Sequence, residues 1–159
     1  GQVRLGLLLH PPSGTVWQAA DDLGAWRVDE HGRRALNVQR PCPEVPRVAA
    51  SRSHGNPAVE AYYAALGAVE RVPQGSALKF GKLAEGGLDV YARLASRCSE
   101  WDVAAGQCIV EQAGGVVVDE NGQPLRYNQR ESVVVHNFLA WGDASRPWLD
   151  YLDGIAIHD

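Results

Sequence analysis

Ser99-Glu100-Trp101-Asp102-Val103-Ala104-Ala105-Gly106 is the stretch on which the reading of this chain turns. It has the form of a helix start. Ser99 suits the N-cap, and Asp102 follows three residues later, at the spacing of a capping box in which Glu or Gln is the more usual partner. A carboxylate in the first turn also complements the positive end of the helix dipole. Val103, Ala104, Ala105, Cys108, Ile109, Val110 and Ala113 continue the helix, and Gly114-Gly115 stops it. The small residues at 104–106 let it approach a neighbour closely. From spacing alone, Asp102 is a capping and packing residue.

Outward from this helix the chain alternates. Arg47 to Ala50 reads as a short buried strand, followed by Ser51-Arg52-Ser53-His54-Gly55. Asn56 as N-cap and Pro57 at the first helical position open a helix carrying Val59, Tyr62, Tyr63 and Leu66, closed by Gly67. Ala68 to Val72 is the next strand. Gly75-Ser76 opens a helix with Leu78, Leu83 and Ala84, and Leu88 to Leu94 is a strand. Beyond the Trp101 helix, Val116 to Val118 is a strand and Asn121-Gly122 a tight turn. Val133 to His136 and Phe138 to Trp141 supply one or two further strands, and Pro147 to Leu152 a short terminal helix. Strand–helix alternation from residue 47 onward predicts an α/β (α+β layered) unit with a largely parallel or mixed sheet.

Residues 1–40 differ. Val3 to Leu9, Thr15 to Ala20 and Ala25 to Val28 read as three antiparallel strands, and His31-Gly32-Arg33-Arg34 as a solvated turn. Strand 1 is apolar at nearly every position, which predicts a strand covered on both faces with partner strands elsewhere. The Pro-rich 41–46 reads as a linker, so the expected division is 1–40, 41–46 and 47–159.

The totals narrow the function. The chain has 159 residues, 45% apolar and 21% charged, with a formal net charge of −4. That composition predicts a globular chain and argues against a nucleic-acid polymer as partner, while leaving room for a small phosphorylated ligand held by local cations. No apolar run approaches the ~20 residues of a membrane span. Cys42, Cys98 and Cys108 form no CxxC and have no nearby His pair, so free thiols in a reducing compartment are the simplest account. There is no Met, and the chain begins at Gly1, which raises the expectation of a fragment, a cleaved product or an incomplete sequence.

Three blocks could carry chemistry. Ser51-Arg52-Ser53-His54 lies where a strand gives way to a helix, the place where open α/β sheets bind ligands; the alternative is an ordinary polar turn with Ser and His capping backbone groups. Gly75-Ser76 offers free N–H groups and a hydroxyl to an anion, with Lys79 one turn further in; most such lysines are solvated. In Asp89-Val90-Tyr91-Ala92-Arg93-Leu94, Arg93 either approaches a ligand or pairs with a nearby carboxylate. Arg97 is a weaker candidate for the same role.

Trp-Asp-x-Ala-Ala-Gly followed by a helix ending Glu-x-Ala-Gly-Gly resembles the C-terminal signature of the inositol monophosphatase superfamily, which consists of Mg-dependent, Li-sensitive phosphatases. The resemblance implies that Asp102 is a Mg²⁺ ligand, a role compatible with capping because a carboxylate has about four lone-pair sites. Ser-x-Ser-His, Gly-Ser-x-x-Lys and Asp-x-Tyr-x-Arg are similar to the bacterial 3'(2'),5'-bisphosphate nucleotidase branch, with Gln123-Pro124-Leu125 and Asn128–Ser132 matching its C-terminal pattern. The resemblance implies that Ser53, His54, Gly75, Ser76, Lys79 and Arg93 contact the nucleotide. The implied activity is that of a phosphoric monoester hydrolase converting 3'-phosphoadenosine 5'-phosphate to AMP, in sulfur assimilation. The implied location is cytoplasmic, with the inner membrane face as a peripheral alternative.

The family's Glu-Glu pair and Asp-Pro-x-Asp-Gly-Thr/Ser motif do not occur here, and Asp21-Asp22 lacks their context. The resemblance therefore implies the C-terminal portion of the family. Residues 1–40 would be the last strands of its N-terminal sheet, the missing N-terminal half of the enzyme a partner, and the chain by itself inactive. An inositol or sugar monophosphatase of the same superfamily and a non-catalytic nucleotide-binding module are the alternatives. The unpaired sheet edge raises self-association, including a homodimer.

Overall fold

A computed structural model describes residues 1–51 and 55–157. Strands β1 (Leu5–His10), β2 (Thr15–Ala20), β3 (Gly24–Asp29) and β4 (Gly32–Ala35) form an antiparallel sheet in the order β1-β2-β3-β4. The fourth strand corrects the reading of 31–34 as a solvated turn. Gly32, at φ 102°, makes the reversal, and Arg33 and Arg34 then pair with Val28 and Arg27. The Arg33 guanidinium lies 4.2 Å from the centre of the Trp26 ring, so the positive charges sit on a strand by snorkelling over an aromatic face.

The chain continues through β5 (Arg47–Ala50), α1 (Pro57–Ala65), β6 (Glu70–Pro73), α2 (Leu78–Ala84), β7 (Val90–Arg93), β8 (Cys98–Ser99), α3 (Glu100–Gln112), β9 (Val116–Val118), β10 (Val134–Val135) and β11 (Phe138–Trp141). The second large sheet has the order β6-β5-β7-β11-β9. β5 is parallel to β6 and β7, and β11 is antiparallel to β7 and β9, so the sheet is mixed, as the alternation predicts. β8 and β10 pair separately. The terminal segment forms a short 3₁₀ turn at Asp150–Leu152 in place of the helix expected over 147–152.

The layers follow from which faces are apolar. One core packs Trp17, Ala19 and Ala25 of the first sheet against Phe80, Leu83, Val103 and Ile109 of α2 and α3, and these against Tyr91, Val117 and Phe138 of the second sheet. The other packs Val48, Val90, Leu139 and Trp141 against Tyr62 and Tyr63 of α1 and Trp148. β11 shows the two-residue period plainly: Phe138 and Ala140 face one core, Leu139 and Trp141 the other. The small residues of α3 do what their size allows. A side chain at Gly106 would overlap the Phe80 ring of α2, and one at Gly6 would overlap the Ala105 carbonyl.

Strand β1 departs from expectation. Its inner face meets α3, but Leu5, Leu7 and Leu9 remain 69%, 53% and 51% exposed on the outer face. β1 is also an edge, hydrogen-bonded to β2 alone among the described strands. The near-continuous apolar run therefore reflects an outer face that nothing among the described residues covers. The stretch 41–46 is tied to the end of β11: the Cys42 N–H donates to Asp143 Oδ2 at 2.8 Å, and Arg40 Nε to the Gly142 carbonyl at 3.1 Å.

Candidate active site

The two cores place the site. After β5 the chain turns into α1 on one face of the mixed sheet; after β7 it turns toward α3 on the other. Adjacent parallel strands whose connections leave to opposite faces open a crevice at their carboxyl ends, where α/β sheets bind ligands. A cavity of about 270 Å³ lies there, lined by Ala50, Ser51, Asn56, Glu60, Tyr63 and Arg71 together with Lys79, Tyr91 and Arg93. A second cavity, of about 200 Å³, is lined by Ser76, Ala77, Lys79, Tyr91, Arg93, Cys98, Asp102, Val103 and Phe138. Lys79, Tyr91 and Arg93 belong to both and form a shared wall.

Asp102 reaches the smaller cavity from the first turn of α3. Its Oδ2 accepts the Ser99 N–H at 3.0 Å, so the capping arm expected from the sequence is formed. One oxygen holding the helix end leaves further lone pairs of the carboxylate for a ligand. Among the described residues no group of three or more His, Cys, Asp or Glu is placed to hold a metal ion. Asp102 therefore suits one position of an oxygen-liganded Mg²⁺ and cannot complete its octahedral shell.

Lys79 sits on α2, 9% exposed, with its Nζ 4.9 Å from the centre of the Tyr91 ring. Burial, and then the Arg93 charge, pull the Lys79 pKa below its ordinary value. Tyr91 and Arg93 stand two apart on β7 and so share a face. Burial pushes the Tyr91 phenol up to about 12, against the opposing pull of Arg93. Arg93 donates from Nη2 to the Arg97 carbonyl at 2.7 Å, while its buried Nε has no hydrogen-bond partner among the described residues. Burial raises the Cys98 thiol, although Arg93 acts in the other direction.

Four of the residues singled out from the sequence thus meet at one cavity: Ser76, Lys79, Arg93 and Asp102. Gly75 lines neither cavity, and α2 begins at Leu78, later than the Gly75-Ser76 start expected. Ser76 precedes the helix in a left-handed conformation, φ 55°, and contributes from a turn. Arg52, Ser53 and His54 lie outside the described residues; their neighbours Ser51 and Gly55 line the larger cavity. Arg97 lines a different cavity, with Glu120, His136 and Asn137. Asp21 is ion-paired with Arg4, away from Asp102.

Sequence reasoning passed over Tyr91, although its i,i+2 relation to Arg93 was legible. It also passed over Glu60 and Arg71. These two close a bidentate pair at the rim of the larger cavity, Nη1 to Oε1 at 3.0 Å and Nη2 to Oε2 at 2.5 Å, between a helix and a strand that no local spacing connects.

Comparison with known proteins agrees with this architecture. The model of the inositol monophosphatase family matches residues 1–146. The 3'(2'),5'-bisphosphate nucleotidase CysQ of Escherichia coli K12 is 34% identical over 138 residues, covering 87% of this chain and 54% of that protein. The protein of the same name from Haemophilus influenzae is 30% identical over 150 residues, covering 91% and 54%. The chain spans about half the length of these curated relatives.

Among solved structures, CysQ from Bacteroides thetaiotaomicron, described as a bacterial member of the inositol monophosphatase family, superposes with a TM-score of 0.76 at 28% identity, over 87% of this chain and 58% of that one. An inositol monophosphatase from Anabaena, with a TM-score of 0.77 at 23% identity over 99% and 61%, shares the fold. No helix of the described residues is long and apolar enough to cross a membrane. With the end of β7 and the first turns of α2 and α3 bringing Arg93, Lys79 and Asp102 to one cavity, and the family model matching residues 1–146, the chain belongs to the inositol monophosphatase family, on the branch of its CysQ relatives.

Proposed function

We propose that this chain carries the nucleotide-holding face of a Mg-dependent phosphatase that removes the 3'-phosphate from 3'-phosphoadenosine 5'-phosphate. The observation that carries the reading is the shared cavity wall. Lys79 has no ion-pair partner and Arg93 a free buried N–H among the described residues, and both face the space that Asp102 and Ser76 also line. Two cations not neutralised by protein carboxylates suit a polyanionic ligand. In this reading Asp102 ligates Mg²⁺, Ser76 and Gly75 with Lys79 and Arg93 hold the nucleotide, and Ser53 and His54, which follow β5 in the sequence, join them.

One carboxylate cannot supply the oxygen shell that Mg²⁺ requires. The reading therefore places the remaining ligands on a further polypeptide segment of the same enzyme, the chain's natural partner, and makes this chain alone a binder without turnover. The same segment would cover Leu5, Leu7 and Leu9.

Phosphate release from 3'-phosphoadenosine 5'-phosphate with Mg²⁺ tests this, on material whose intact mass is checked in the same tube. The chain alone, at 17.2 kDa, is expected to bind the nucleotide and release negligible phosphate. Turnover by that single species overturns the division of labour. Failure to bind the nucleotide overturns the assignment of the wall, and tighter binding of inositol 1-phosphate moves the substrate to the inositol and sugar phosphates.

A further inference from the structure

Lys79 poses an electrostatic problem that the fold solves in an unusual way. A lysine only 9% exposed loses part of the hydration of its ammonium, which is costly unless something compensates it, and the usual compensation is a carboxylate. Two carboxylates line the cavities it faces, and both are engaged: Asp102 by the Ser99 N–H, Glu60 by the Arg71 guanidinium. Neither forms an ion pair or hydrogen bond with Lys79 Nζ, nor does any other described residue.

What Lys79 does meet is the Tyr91 ring, at 4.9 Å from Nζ to the centroid, inside the ~6 Å range of a cation–π contact. That ring is clamped. Phe80 approaches it at 5.1 Å and 67°, Phe138 at 5.1 Å and 88°, and Phe80 and Phe138 stack on one another at 5.5 Å. The three rings close a triangle beneath the cavities.

We propose that the Tyr91 ring is the surface that holds the Lys79 ammonium in the cavity wall with its N–H donors free for an anionic ligand, making Tyr91 a positioning residue for the bound phosphate. This rests on the reading of the wall as a phosphate site. A ring differs from a carboxylate in the respect that matters here. It attracts the cation through its quadrupole but carries no net charge, so the positive potential in the cavity is left for the ligand. A carboxylate partner would both neutralise that potential and occupy the donors.

The test varies the ring without varying its shape. Binding of 3'-phosphoadenosine 5'-phosphate to the 159-residue chain is measured by calorimetry for Tyr91→Phe and for phenylalanines of increasing fluorination at position 91. These drain the quadrupole while keeping the packing against Phe80 and Phe138. Affinity is expected to survive Tyr91→Phe within about twofold and then to fall stepwise by roughly tenfold in all. In a Lys79→Met background the series is expected to be flat. A second measurement needs no ligand: the Lys79 ε-methylene protons should show an upfield ring-current shift by NMR.

A flat fluorination series in a chain where Lys79→Met does weaken binding, or the absence of the ring-current shift, overturns the positioning role and leaves the phosphate site standing. If Lys79→Met has no effect, or the unsubstituted chain does not bind, it is the phosphate site that falls, and the role of Tyr91 with it.

Discussion

Asp89 and Arg47 lock the parallel strands β5 and β7 together at their amino ends, opposite the end that carries the site. Arg47 Nε donates to Asp89 Oδ2 and Nη2 to Oδ1, each at 2.9 Å, and the Arg47 backbone N–H adds a third bond to Oδ2 at 2.8 Å. Asp89 is 1% exposed, so this is a buried, fully bonded carboxylate at the start of the strand that carries Tyr91 and Arg93. Asp89→Ala strands the Arg47 guanidinium in its half-buried place and is expected to lower stability by ~3–5 kcal/mol, as removal of one partner of a buried pair does. Urea unfolding of the two proteins measures it. A loss under ~1 kcal/mol would show that the pair is dispensable.

Lys79→Met should trade function for stability. It removes a buried ammonium that has no anionic partner, with a gain in unfolding free energy on the order of 1 kcal/mol. It also weakens nucleotide binding at least tenfold, since a charge-assisted hydrogen bond is worth ~1.5–3 kcal/mol. Thermal unfolding and calorimetric titration of the same preparation read both. A variant less stable than the parent would contradict the description of Lys79 as a buried lysine without an anionic partner.

The depressed Lys79 pKa fixes the sign of a pH effect. Burial is its first cause and the Arg93 charge its second, so the folded chain releases this proton at a lower pH than the unfolded chain, whose value is the ordinary 10.5. Between the two values the unfolded state holds more protons, and stability contributed by this group rises with pH. The advantage of Lys79→Met over the parent should therefore shrink as pH climbs toward 10.5. Paired urea melts at about pH 8 and about pH 10 check it; a gap that widens would reverse the sign.

The helix cap at Asp102 is separable from the metal-ligand role proposed for it. Asp102→Asn keeps an oxygen that can accept the Ser99 N–H, so stability should change by less than ~0.5 kcal/mol, while Asp102→Ala loses the cap and ~1 kcal/mol. Metal-dependent turnover of an assembled enzyme should be abolished by both. Helix content by circular dichroism, set beside the phosphate assay, distinguishes the duties; full activity in Asp102→Asn would remove Asp102 from the metal site.

Replacing Leu5, Leu7 and Leu9 by Thr should leave the stability of the isolated chain within ~0.5 kcal/mol, because these side chains are already exposed. The same triple change should suppress self-association, which sedimentation at rising concentration would show. A large loss of stability would mean that the outer face is covered in solution.

The parts of this fold legible in the sequence are those specified locally. Asn56 and Pro57 announce α1, and the Asn56 carbonyl oxygen does accept from the Ala58 and Val59 N–H groups at 2.9 and 3.2 Å. The Ser99–Asp102 spacing announces α3, and the short apolar run Phe138–Trp141 announces a strand. What escaped depends on distant partners. Arg33 and Arg34 read as solvated because the Trp26 ring that carries one of them is on another strand. The apolar run of β1 could not say which of its faces this chain covers. At the site, the resemblance carried by the motifs named Ser76, Lys79, Arg93 and Asp102, whereas the Glu60–Arg71 pair and the aromatic triangle exist only once α1, α2, β6, β7 and β11 are assembled.

Helices α2 and α3 belong equally to both sheets: Phe80 and Ile109 share one core with Trp17 on one side and with Phe138 on the other. A layer owned in common cannot be surrendered by one neighbour and kept by the other. Amide protons of the first four strands should therefore exchange with solvent at the pace of those in the mixed sheet, through one global opening. A protease that nicks the connection between the sheets would leave two pieces still clasped together, and the cavity with its lysine and arginine would outlast the cut.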